Sequence, residues 1–333
     1  MFEKSRILIT GGTGSLGQAL TKRLLKFNVE SIRILSRNEN KQIEMESRFN
    51  DKRIRFFLGD IRDKDRLVTA FEDIDYVFHA AALKHVPKIE YNPFEAIKTN
   101  IIGSQNVIDA CFSSRIKKVI CIGTDKSVSP LNTYGATKLL MEKLFITANN
   151  YLASKNHSTK FIAVRYGNVV GSSGSVIPKF IEQIRNKKKI TITDLNMTRF
   201  SITMDEAIDF ILNVTKFGQG SEVFVPKIKS YILSDVKLAL NQIFGDYGQE
   251  LIGIRPGEKL YEDLISSEEM RYTWDYRGMY MITNPLFAKF DPKTIDKIYP
   301  KIKHIISTEK FSSESSEKIS VNELIKIFKS QNL

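Results

Sequence analysis

The stretch RILITGGTGSLGQALTKRLLKF, residues 6–27, decides the fold. It opens as a nearly continuous apolar strand, and Leu16, Leu20, Leu24 and Leu25 recur at helical spacing in its second half. Between the two, Gly11, Gly14 and Gly17 form a GxxGxxG loop. Such spacing carries little by itself, because glycine-rich turns are common; a strand that feeds it and a helix that leaves it make it a dinucleotide loop. Glycines let the backbone approach a pyrophosphate, and the free N–H groups and positive dipole end of the helix favour its charge.

Outward from this loop, strand and helix alternate at the spacing of a parallel sheet. SIRILS, IRFFLGD, DYVFHAAA and KKVICIGT read as strands; NENKQIEMESRF, the region around RLVTAFED, and Pro93 to Ser114 read as helices. These strands lack polar alternation, as expected where helices cover both faces. A long helix is expected from Lys138 to about Ser154, then the strand FIAVRYGN. Beyond Gly171 the units shorten to VIPKFIEQIR, ITIT, a helix near MDEAIDFILNVTKF, SEVFVP, a helix near SDVKLALNQIF and a last helix VNELIKIF. The fold class is therefore α/β: a Rossmann-type doubly wound parallel sheet over residues 1–170 and a smaller substrate lobe over 171–333, partly interleaved with it. The Ser-rich FSSESSEKIS reads as a flexible linker.

With 333 residues, 42% hydrophobic and 10% aromatic, the composition is that of a globular protein. The N-terminus lacks the apolar region of a signal peptide, and no stretch reaches the roughly 18 apolar residues of a membrane span. A cytoplasmic protein with no membrane span is expected. Cys111 and Cys121 lie in apolar contexts and the four histidines are scattered, so neither a disulfide framework nor a metal site is expected. The net charge of +12 is spread along the chain, and its densest run, Arg185 to Lys189, reads as a polar helix end. No compact basic patch with interleaved aromatics points to nucleic acid; the sign of the field suits a small substrate bearing a diphosphate.

The second strand ends in Ser36 and Arg37, where a NAD enzyme usually carries an acid for the ribose hydroxyls. A guanidinium and a hydroxyl, with Lys41 nearby, suit a 2′-phosphate, so NADP is favoured over NAD. Asp60 in GDIRD reads as a contact to the adenine amino group or, with Asp63, as a helix cap. In GTDKSVSPLNTYGATK, residues 123–138, Tyr134 and Lys138 share a helix face one turn apart, and Thr124 ends the preceding strand. An ammonium beside a phenol, near a nicotinamide cation, lowers the phenol pKa, so Tyr134 is expected to take a proton from a substrate hydroxyl. The same segment holds the adjacent pair Asp125 and Lys126. They are either an ion pair capping the loop or a second acid–base pair, and a place at the carboxyl end of a parallel strand favours the second reading.

Together with FHAAALKHVPKIEYNP, RYGNVVGSSGSVIP, ITITDLNMTRF and IRPGEK, these segments resemble the extended short-chain dehydrogenase/reductases, and within them the inverting UDP-N-acetylglucosamine 4,6-dehydratases, over almost the whole chain. The resemblance implies that Thr124, Tyr134 and Lys138 serve oxidation at sugar C4, that Lys126 removes the C5 proton, and that Asp125 protonates the departing C6 hydroxyl. Hydride returning from NADPH to C6 and a proton added to the other face of C5 would give UDP-2-acetamido-2,6-dideoxy-L-arabino-hexos-4-ulose. Cofactor contacts are expected from Gly11, Thr13, Gly14, Ser15, Leu16 and Gly17, from Ser36, Arg37, Lys41, Asp60 and Ile61, and from Ala80, Ala81, Ala82 and Lys84 beside Tyr134 and Lys138. Contacts to UDP-N-acetylglucosamine or a close UDP-acylamino sugar are expected from Lys84, Asn168, Val176, Thr193, Met197, Arg199, Arg255 and Glu258. Look-alikes form homo-oligomers, often hexamers. The chain departs from the pattern at 172–175, where an Arg often precedes the last Gly, and at Ser201, a usual aromatic position. Competing readings are a nucleotide-sugar C4 or C5 epimerase and a non-catalytic NADP-binding sensor.

Overall fold

The computed structural model describes residues 1–151, 159–172, 174–284, 291 and 294–331. Strand β1 (Arg6–Thr10) runs into the glycine loop and α1 (Ser15–Leu24) leaves it; β2 (Ser31–Ser36), α2 (Glu39–Phe49), β3 (Ile54–Leu58), α3 (Lys64–Phe71) and β4 (Tyr76–His79) follow. Asn38 caps α2 by accepting from Lys41 N, and Asp63 caps α3 by accepting from Arg66 N. Asp63, not Asp60, is thus the cap, which leaves Asp60 at the mouth of the sheet.

Next come α4 (Val86–Tyr91), α5 (Pro93–Ala96) and α6 (Gly103–Ser113), the last two joined by a π-helical turn, Ile97–Ile102. The helix expected over 93–114 therefore exists, with a widened turn inside it. That turn contains the buried Asn100, which accepts from Leu83 N at 2.8 Å, donates to Leu83 O at 3.1 Å and donates to Thr137 Oγ1 at 3.0 Å. It fixes the loop after β4 against the helix that follows β5 (Lys118–Ile122), namely α7 (Thr133–Ala148). A 3-10 turn carries α7 on to Tyr151, and the rest of the helix expected to about Ser154 lies outside the described residues.

After β6 (Lys160–Val164) the chain forms β7 (Asn168–Val169), α8 (Val176–Arg185), β8 (Ile190–Ile192), β9 (Thr198–Ile202), α9 (Met204–Phe217), β10 (Val223–Pro226), β11 (Ser230–Ile232), α10 (Leu233–Phe244) and β12 (Gln249–Leu251). Then follow β13 (Asp263–Ile265), α11 (Ser267–Met270), β14 (Thr273–Tyr276), β15 (Met279–Ile282), α12 (Ile295–Ile298), β16 (Lys303–His304), β17 (Phe311–Ser312) and α13 (Val321–Ser330).

Ten strands form the main sheet, in the order β16-β14-β15-β10-β6-β5-β4-β1-β2-β3. From β3 to β10 every neighbouring pair is parallel, and the order reverses between β1 and β4. In open parallel sheets the ligand crevice lies at such a switch, outside the carboxyl ends of the strands. Successive side chains point to opposite faces, and here both faces are apolar. Ile7, Ile9, Ile34 and Phe78 pack on one side with Leu20 of α1 and Ile211 of α9. Leu8, Leu35, Val77 and Val119 pack on the other with Leu67 of α3, Val107 of α6 and Phe145 of α7. A separate core of Phe180, Ile184, Ile190, Leu240 and Phe328 holds α8, α10 and α13 together.

The Ser-rich segment is a correction to the sequence reading. Instead of a free linker, Phe311–Ser312 pairs antiparallel with β13, and Ser230 exchanges backbone bonds with Glu317 and Ile319. Ser313 is fully buried, its hydroxyl paired with that of Thr198 at 2.7 Å and accepting from Glu262 N at 2.8 Å. Serine composition suggests solvation, yet a small hydroxyl buries without loss when each of its bonds is made. Both cysteines are buried free thiols, and among the described residues no helix is long and apolar enough to cross a membrane.

Candidate active site

One cleft of about 1150 Å³ runs along the carboxyl ends of the parallel strands and under the second core. Every residue expected to contact cofactor or substrate lines it, as do Thr124, Lys126, Tyr134 and Lys138. Asp125 alone among the expected site residues does not.

At one end stands the glycine loop. Gly11 has φ +66, and a Cβ there would come within 2.8 Å of Ala81 Cα; a Cβ at Gly17 would fall 2.4 Å from Gly12 O. Side chains are thus barred where β1, β4 and α1 converge, and the backbone is left bare. The start of α1 has no side-chain cap and no acid in its first turn, so its N–H groups face the cleft unfilled. This donor set fits a pyrophosphate. At the β2 end, the Ser36 hydroxyl accepts from Gln42 Nε2 at 3.0 Å and keeps its own proton to donate. Arg37 is half exposed, its nearest acid being Asp60 at 3.6 Å. Burial works against the charge of Asp60, yet Arg62, through side chain and backbone, and Arg37 hold its carboxyl below its ordinary range.

Titratable groups cluster at the turn after β5. Thr124 caps the 3-10 turn Asp125–Ser127, and its hydroxyl donates to Asp125 Oδ1 at 2.9 Å. Lys126 Nζ donates to the same oxygen at 3.0 Å and to Asn168 Oδ1 at 3.4 Å, and stands 3.5 Å from Glu262 Oε1. Asp125 is buried beneath this lysine, its Oδ2 without a hydrogen-bond partner. Burial works against the charge on Lys126, but the Asp125 and Glu262 carboxylates outweigh it and hold the ammonium well above the ordinary lysine pKa.

The expected depression of the Tyr134 phenol is not produced by the protein groups. Burial pushes it up to about 12, and the leading opposing influences are the Lys126 charge and a hydrogen bond with Thr124, not Lys138. Lys138 donates to Ile122 O at 2.6 Å, and burial brings its own pKa down to about 8. The two side chains lie one helical turn apart, but burial, not interaction between them, is the leading influence on each.

At the substrate end, Val176 opens α8, and Thr193 donates to Met197 Sδ at 3.6 Å. Arg199 is only 11% exposed and spends its fork on carbonyls: Thr198 O at 2.7 Å, Leu260 O at 3.1 Å and Lys259 O at 2.8 Å. Arg255 by contrast is exposed, with Glu258 at 3.6 Å. Lys84 is exposed by surface area, yet the packing around its ammonium lowers its pKa. Sequence reasoning missed Glu262, Asn100 and Gly135; the first follows IRPGEK by a few positions, which is the only local signal for it.

Residues 7–284 match the family described as polysaccharide biosynthesis protein. The chain belongs to that family. The match begins within β1 and ends beyond β15, so it spans the glycine loop, the Asp125–Lys126 turn and Glu262. Among its relatives, the UDP-N-acetylglucosamine 4,6-dehydratase (inverting) of Campylobacter jejuni is 50% identical over 285 residues, 85% of this chain and 84% of that protein. A UDP-glucose 4-epimerase of Rickettsia bellii is 44% identical over 287 residues, 85% and 84% of the two chains. The solved structure of Pen from Bacillus thuringiensis superposes with a TM-score of 0.89 at 38% identity, covering 99% of both chains.

Proposed function

We propose that this member of the polysaccharide biosynthesis family is a UDP-N-acetylglucosamine 4,6-dehydratase that inverts C5. The observation that carries the reading is Lys126 Nζ at the cleft wall, bonded to a buried carboxylate in the turn directly ahead of Tyr134. An epimerase working only at C4 has no use for that pair, whereas elimination across C5 and C6 needs a base and an acid. The Campylobacter jejuni relatives bear the name of this reaction.

The bare glycine loop and the start of α1 would hold the pyrophosphate of a nicotinamide dinucleotide, and Arg37, Ser36 and Lys41 would favour NADP by meeting a 2′-phosphate. When bound, the nicotinamide supplies the acceptor for the C4 hydride and the donor of hydride to C6. As a phenolate, the form that the charge of a bound nicotinamide cation would favour, Tyr134, linked to the Thr124 hydroxyl, takes the C4 hydroxyl proton. The C4 ketone then acidifies the C5 hydrogen. In the resting site Lys126 is an ammonium and Asp125 a carboxylate; transfer of one proton from Nζ to Oδ1 yields a free amine and a carboxylic acid together, which supplies the base for C5 and the acid for the C6 hydroxyl. Because Asp125 sits behind the cleft wall, its proton passes through the Thr124 hydroxyl, which lines the cleft and is bonded to it. Arg255, exposed and loosely paired, is the guanidinium ready for the diphosphate. Cytoplasmic location and homo-oligomerisation belong to the same proposal; exposed Tyr91, Phe94, Ile102 and Leu140 on neighbouring helices support the second.

A UDP-glucose 4-epimerase is the second reading, favoured by the name of the Rickettsia bellii relative. Incubating the protein with UDP-N-acetylglucosamine and NADP and weighing the product by mass spectrometry separates them. A dehydratase gives a product lighter by one water; an unchanged mass with an altered C4 would overturn the proposal.

A further inference from the structure

Glu262 immediately precedes β13, and its side chain, only 4% exposed, lines the cleft. Oε1 stands 3.5 Å from Lys126 Nζ and 3.9 Å from Arg199 Nε, and the buried Oε2 has no hydrogen-bond partner. Two bonds fix the backbone that carries it: Glu262 N donates to Ser313 Oγ at 2.8 Å, and Ser313 N donates to Glu262 O at 2.8 Å. A carboxylate held this rigidly, with one oxygen unsatisfied, is a poor structural element, because buried polar atoms without partners cost stability.

We propose that Glu262 is a positioning residue for Lys126: its carboxylate, with that of Asp125, fixes the amine at the cleft wall and governs when it gives up its proton. The inference rests on the reading that Lys126 removes the C5 proton. To do so, Lys126 must start the step as a free amine. One N–H bond of the ammonium breaks and an O–H bond forms on a carboxylate, Asp125 being the nearer acceptor; no other reactant is needed.

The groups facing Lys126 are Asp125, Glu262, Arg199 and the phenols of Tyr134 and Tyr231; those facing Glu262 are Lys126, Asp125, Arg199 and Lys259. Burial and Arg199 favour the free amine, and the two carboxylates favour the ammonium and prevail. Burial and the Asp125 charge also push the Glu262 carboxyl upward, against the pull of Lys126, Arg199 and Lys259. Removing the Glu262 charge therefore frees the amine at lower pH.

The test is Glu262→Gln beside Glu262→Asp in the full chain. Acetylation of Lys126 by acetic anhydride, followed across pH by peptide mass spectrometry, reports the amine directly and needs no turnover. In Glu262→Gln the midpoint should fall by about 1–3 pH units, the range for loss of one opposite charge at this distance, with a smaller fall in Glu262→Asp. kcat should change in Glu262→Gln, while KM for UDP-N-acetylglucosamine changes less. An unmoved labelling midpoint in Glu262→Gln overturns the proposal, as does a rise in KM with an unchanged kcat. If Glu262→Gln does not fold, an unmoved midpoint in Glu262→Asp overturns it equally. Absence of dehydrated product from the wild-type protein would instead sink the functional reading, and the labelling result would still decide the role of Glu262.

Discussion

Lys126 carries two requirements that pull in opposite directions. Two carboxylates within 3.5 Å hold it charged at rest, and in the proposed reaction it must be neutral to remove a proton from carbon. The proposed internal transfer to Asp125 would reconcile them without exposing either charge to the cleft. Lys126→Ala is expected to lower kcat for dehydration by about 10²–10⁴-fold, the usual contribution of a positioned acid–base group, while NADPH binding, followed by fluorescence, stays within the wild-type range. Loss of NADPH binding in that variant would contradict the role. At this scale the sequence was informative about identity and silent about charge state. Adjacent Asp125 and Lys126 could be read as a proton-handling pair, but their neighbour Glu262 is brought in from just ahead of β13, 136 positions downstream, by packing that no local spacing records.

The helix and the turn that carry the site meet at a glycine. A Cβ on Gly135 would lie 2.2 Å from the carbonyl oxygen of Lys126, so α7 and the Asp125–Ser127 turn touch backbone to backbone. Tyr134 is placed against Lys126 by this approach. Gly135→Ala should force the two elements apart, costing about 1–3 kcal/mol of stability as overpacking does and abolishing dehydration with smaller loss of cofactor affinity. Thermal unfolding and NADPH titration check the two halves of that expectation; unchanged turnover would show that the contact is not needed. The parallel strands were legible from their apolar runs and spacing, and α2 and α3 as helical stretches between them, whereas the choice of Asp63 over Asp60 as cap was not. The π-helical turn at Ile97–Ile102 was not, because it answers to Asn100 bridging two distant segments. Nor was the pairing of Phe311–Ser312, where buried hydroxyls mimic the composition of a linker.

For the whole molecule, the sheet is tied to its helical cover by buried polar groups as well as by its apolar faces. Arg165, fully buried, joins Glu142 of α7 at 2.6 Å to Glu269 of α11 at 2.9 Å. His79, at the end of β4, lies between Thr10 Oγ1 of β1 at 2.8 Å and Ser104 Oγ of α6 at 3.0 Å. Burial, helped by Lys138, brings the pKa of His79 down to about 3. A depressed histidine makes the folded state lose stability as pH falls, since below about 6.5 the unfolded chain binds a proton that the folded chain refuses until about 3. The loss between pH 7 and pH 5 should be about 2 kcal/mol, and His79→Gln should reduce it. Urea midpoints at the two pH values measure this; an equal loss in the variant would assign the acid sensitivity elsewhere.

The central claim, that one cleft joins oxidation at C4 to elimination across C5 and C6, is tested most directly by NMR of UDP-N-acetylglucosamine turned over by the wild-type protein with NADP in deuterated water. The account predicts a new C6 methyl group, a C4 ketone and deuterium at an inverted C5. Product that keeps its C5 hydrogen and its C6 hydroxyl, changed only in configuration at C4, would contradict it.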